Sequence, residues 1–134
     1  MGYRVEGKGG EKMDIEAIIE AILEFKVPSG WIVRVWDCRA TLMPEDSAEQ
    51  EELLKMIEQE GELMWLETEY FRIPIPKQAQ SKFENEKLKK EIADWFWKIL
   101  ERRGGGINIS GFYTVFEDEL EELNEIIEKY IHNE

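Results

Sequence analysis

Three runs of the chain, residues 31–43, 63–75 and 107–116, are dense in β-branched and aromatic side chains, and glycine or proline punctuates their ends. Around them, apolar residues recur at helical spacing. A strand repeats every two residues and a helix every 3.6, so this alternation restricts the chain to helices layered on a sheet. The first run is apolar on both alternating sets: Trp31, Val33 and Val35 on one, Ile32, Trp36, Cys38, Ala40 and Leu42 on the other. A strand of that kind is expected at the centre of a sheet, covered on both faces. Pro44 ends it, Pro74 and Pro76 end the second, and Gly111 bends or bulges the third.

The helical stretches carry their own start and stop signals. Asp14 caps a first helix through Ile15, Ile18, Ile19, Ile22 and Phe25, which Val27-Pro28-Ser29-Gly30 stops. Asp46 or Ser47 opens a short helix over 47–60, and Gly61 closes it. Ser81 and Glu84 form a capping box for the longest helix, 81–103, with its stripe at Leu88, Ile92, Trp95, Phe96 and Ile99. A last helix starts near Asp118 and carries Leu120, Leu123, Ile126, Ile127, Tyr130 and Ile131.

The expected class is therefore α/β. A single domain over 13–134 has the order α-β-α-β-α-β-α, with a three-stranded mixed or parallel central sheet covered by helices. Residues 1–12 read as a flexible tail, with 3–7 as an alternative short fourth strand at the sheet edge. The 81–103 helix is long enough to return along a strand, so the second and third strands are expected to pair in parallel through a right-handed crossover. The direction of the first pair stays open.

Composition narrows the chemistry. The net charge of −13, from 30 carboxylates against 17 cationic side chains, repels phosphate backbones and anionic lipid. Direct nucleic-acid binding is not expected, and a partner should be basic. No run approaches a membrane span, no apolar segment follows the start as in a secretory leader, and Glu6 stands where a myristoylation site needs Ser or Thr. A cytoplasmic protein is expected. Glu, Lys and Ile are abundant against four Asn and four Gln, a balance that leans towards a thermophile. One cysteine and one histidine cannot supply a zinc site, a Ser–His–Asp triad or a Cys–His dyad within one copy, and no cofactor or metal is expected. Cys38 reads as a small buried hydrophobe, and His132 as a cation in a last helical turn.

Asp37, Glu67 and Glu69 are the enzymatic candidates. Strand alternation puts the two glutamates on one face, and with Asp37 they offer oxygens to Mg²⁺ for a hydrolase or nuclease reaction. The lysine that strand nucleases usually carry beside the second acid is missing, and the alternative is pairing with Arg34, Arg39 or Arg72 across the sheet. Arg102-Arg103-Gly104-Gly105-Gly106 resembles a phosphate grip in composition only, because a helix C-terminus has the wrong dipole sign for an anion.

Charge is also segregated. Residues 45–62 and 117–134 each hold eight acids and one lysine (net −7), whereas 77–103 hold eight basic and five acidic side chains (net +3). This pattern serves contacts within one copy, docking between copies, or mimicry of nucleic-acid charge. On the long helix Trp97 lies about 140° from Ile92, off the main stripe and beside Ala93 and Leu100. It belongs either to a second core layer or to an interface. The leading expectation is a non-catalytic acidic interaction or regulatory protein, a homodimer engaging a basic protein surface, with Trp97, Ala93 and Leu100 at the self-contact. The Mg²⁺-dependent hydrolase is the alternative.

Overall fold

The computed structural model describes residues 20–21, 27–36, 38–104 and 111–131. The proposed tail, the strand at 3–7, most of the first helix, Asp37 and His132 lie outside them.

Among the described residues the sheet has five strands, not three. The run at 31–43 is a hairpin of β1 (Trp31–Trp36) and β2 (Arg39–Pro44), antiparallel, with Trp36 opposite Arg39. The run at 63–75 is a second hairpin, β3 (Leu63–Glu67) and β4 (Phe71–Pro76). Strand β5 (Gly111–Val115) pairs with β1, and the order across the mixed sheet is β3-β4-β2-β1-β5.

Both missed turns lack the usual punctuation. Cys38 takes φ 62° in the first, a left-handed conformation that glycine or asparagine normally supplies. It is exposed, which corrects the expectation of a buried thiol. In the second turn the Thr68 hydroxyl accepts from the N–H groups of Tyr70 (3.1 Å) and Phe71 (3.2 Å), while the Thr68 N–H donates to the Phe71 carbonyl (2.9 Å). A threonine side chain thus builds the reversal without glycine.

The expected pairing of the second and third runs also fails. β4 lies parallel to β2, with Ala40 opposite Phe71 and Thr41 opposite Arg72. That ladder stops before Pro74 and Pro76, which have no N–H to donate. β5 points in the same direction as β4, but β2 and β1 stand between them.

Helix α1 (Ser47–Lys55) is capped by Asp46, whose carboxylate accepts from the Glu49 N–H, and continues as a π-helical turn (Met56–Glu60) to left-handed Gly61. After β4, a 3₁₀ helix (Lys77–Phe83) precedes α2 (Glu86–Arg102). The N-cap of α2 is Asn85, not Ser81: its Oδ1 accepts from the N–H groups of Lys87 (2.9 Å) and Leu88 (3.2 Å). Helix α3 (Glu117–Ile131) follows β5.

The core lies where α2 packs on the sheet. Phe96 stacks on Phe71 with ring centroids 5.2 Å apart, and Trp95 meets Phe96 edge-on at 5.0 Å. Val33, Leu42, Ile73, Ile92 and Ile99 are fully buried. Leu123, Ile127 and Ile131 bury the inner stripe of α3. Among the described residues no helix is long and apolar enough to cross a membrane.

Candidate functional site

Of the predicted carboxylate trio, the described residues include Glu67 and Glu69 but not Asp37. Glu67, the last residue of β3, lies 3.5 Å from the Arg39 guanidinium and 3.4 Å from that of Arg72. Arg72 is its direct cross-strand partner. Glu69 sits in the turn beyond the strand, exposed, so the alternation that would align it with Glu67 has already ended. Asp37 lies outside the described residues. Among those residues no group of three or more His, Cys, Asp or Glu side chains is placed to hold a metal ion.

Arg102 and Arg103 serve a buried carboxylate. Glu119, in the first turn of α3, is 4% exposed. It accepts from Arg102 Nη1 at 2.9 Å, from Arg103 Nη2 and from the Phe116 N–H at 2.9 Å. The Phe116 contact is one half of a capping box, with the glutamate reaching back to the residue before the helix. Arg103 also donates to the Thr114 carbonyl at 3.1 Å and lies 4.4 Å from the centre of the Phe116 ring. Trp95 Nε1 donates to the Glu119 carbonyl at 2.7 Å. Burial pushes the Glu119 carboxyl up, but the Phe116 N–H and the two guanidiniums outweigh it and hold the group below its ordinary range. The diarginine therefore clamps the end of α2 to the start of α3. Composition hid Glu119 among the other acids of its segment.

Further along the same helix pair, Glu91 accepts from the Tyr130 hydroxyl and from Lys129 Nζ (2.9 Å). The Tyr130 hydroxyl, then Lys129, draw the Glu91 carboxyl below its usual range. The contacts between α2 and α3 thus run in both charge senses.

The outer face of α3 is different. Glu117, Glu121, Glu125 and Glu128 recur at helical spacing and are all exposed. Among the described residues none of the four makes an ion pair. Like charges at i,i+4 repel by roughly 0.2–0.5 kcal/mol per pair.

The second exposed feature is a groove of about 470 Å³ between α2 and the Thr68–Tyr70 turn. Its walls include Ala93, Phe96, Trp97 and Leu100 from α2, with Tyr70 from the turn and Ala40 from β2. Phe96 and Leu100 are buried and form the floor, while Trp97 is 47% and Tyr70 60% exposed. The capped, continuous α2 fixes Trp97 away from its neighbours Trp95 and Phe96, both buried. Among the described residues no second helix layer closes over Trp97. Tyr70 was hidden from sequence reasoning by lying inside an apparent strand; the Thr68 turn is the signal that exposes it. In comparisons with known proteins the chain matches no family model, no curated protein and no solved structure.

Proposed function

We propose that the chain is a non-catalytic interaction protein that acts as a homodimer through Trp97, Ala93 and Leu100, and that engages a basic protein through the acidic outer face of α3. The observation that carries the reading is the stripe of Glu117, Glu121, Glu125 and Glu128, which is exposed, costs self-repulsion and makes no ion pair among the described residues. A row of carboxylates on a rigid helix steers lysine- and arginine-rich surfaces and repels phosphate.

Charge-matched variants test it. Glu117, Glu121, Glu125 and Glu128 are changed together to Gln in one variant, and Glu45, Glu51, Glu58 and Glu62 in another, so both lose the same net charge. Basic proteins retained at about 0.05 M salt should be released at about 0.5 M. The α3 variant should lose them and the control should keep them. Equal losses would mean that net charge alone, without a defined surface, accounts for retention.

A further inference from the structure

We infer that the groove beside Trp97 is filled by a second copy of this chain, with α2 packed antiparallel to its counterpart about a two-fold axis. The inference deepens the interaction-protein reading and rests on it for the claim that Trp97 marks an interface. It adds the direction and the register of the contact.

The charges along α2 decide the occupant. Lys90, Asp94, Lys98 and Glu101 are all exposed, and among the described residues none of them makes an ion pair. Mirrored about a point between residues 95 and 96, Lys90 falls on Glu101, and Asp94 falls within one residue of Lys98. In an antiparallel pair, Lys90 of each copy therefore faces Glu101 of the other, and Asp94 faces Lys98. A two-fold axis makes each contact twice, as an isologous interface requires. A parallel pair would place Lys90 against Lys90 and Glu101 against Glu101.

The apolar positions fit this register to within one residue. Trp97 of one copy falls opposite Ala93 of the other, where the small side chain leaves the groove open towards Tyr70. Tryptophan set into a pocket is a usual anchor of a protein interface. Charge balance also favours self-contact at this place. Residues 77–103 carry net +3 in a chain of net −13, so α2 lies in the segment where two copies approach with least repulsion, and where a basic partner is least favoured.

The experiment is a charge swap followed by sedimentation over about 1 µM to 1 mM, the range in which modest interfaces dissociate. The wild type should shift from the mass of one chain, 15.9 kDa, to twice that mass. K90E and E101K should each raise the dissociation constant at least tenfold. Mixing the two variants should restore association, because each contact then again joins opposite charges; a misfolded variant would not be rescued. The proposal fails if the wild type stays monomeric throughout, if either variant associates like the wild type, or if the mixture does not recover. Retention of basic proteins by the α3 stripe is read separately, so the two can fail independently.

Discussion

Cys38 holds a left-handed conformation that costs an L-residue about 1–2 kcal/mol, and it does so at an exposed turn where its side chain supports no core. Cys38→Gly removes that cost and adds about 0.5–1 kcal/mol of unfolded-chain entropy, so the variant should be more stable by roughly 0.5–1 kcal/mol in urea unfolding. A loss of stability would show that the thiol makes a contact that matters. Glu119 is the opposite case, a buried acid engaged by three donors. Glu119→Gln keeps the shape and removes the charge, and should cost about 2 kcal/mol at neutral pH, the scale of hydrogen bonds to a charged group. Because the folded carboxyl sits below its ordinary value of 4.5, its stabilisation is complete above that pH and is lost as pH falls through the folded value. The gap between wild type and variant should stay constant from about pH 7 to 5 and narrow below. A gap that widens on acidification would contradict the clamp.

At the scale of elements, helices were legible and hairpins were not. The stripe Leu88, Ile92, Trp95, Phe96 and Ile99 is buried as its spacing implies, and Gly61 and Gly104 close their helices with positive φ. Both hairpins escaped because Asp37-Cys38 and Thr68-Glu69-Tyr70 carry no glycine or Asn-Gly, so each pair of strands read as one long strand. Losing those turns doubled the apparent strand length and hid Tyr70, half of the candidate site. Trp97 and Ala93 were legible because a helical wheel alone places them off the core stripe. The start of α2 went wrong for a different reason: Ser81-x-x-Glu84 satisfies the capping-box pattern, but Pro76 is followed by a 3₁₀ turn that uses up those residues, and Asn85 takes the cap. Asn85→Ala should therefore cost about 1 kcal/mol, while Ser81→Ala should be nearly neutral, both by chemical denaturation. The reverse ranking would restore the longer helix.

At the scale of the whole molecule, the two proposed contacts should answer salt in opposite directions. Each copy carries −13, and at about 0.01 M salt the screening length is about 30 Å, so two copies meeting along α2 still feel the carboxylates of α1 and α3. Raising the salt to about 0.15 M shortens that length to about 8 Å and removes most of this long-range repulsion. The contacts proposed at α2 are short-ranged: Trp97 over Ala93 is apolar, and Lys90 with Glu101 of the other copy is a close pair. They lose less than the repulsion does. Self-association should therefore tighten several-fold over this range. Retention of a basic protein by the Glu117–Glu128 stripe is itself long-range attraction, and should weaken over the same range. Sedimentation for the first and salt-gradient release for the second measure both in one buffer series. If self-association weakened in parallel with partner binding, attraction between unlike charged faces of two copies would be holding the dimer, and α2 would not be its axis.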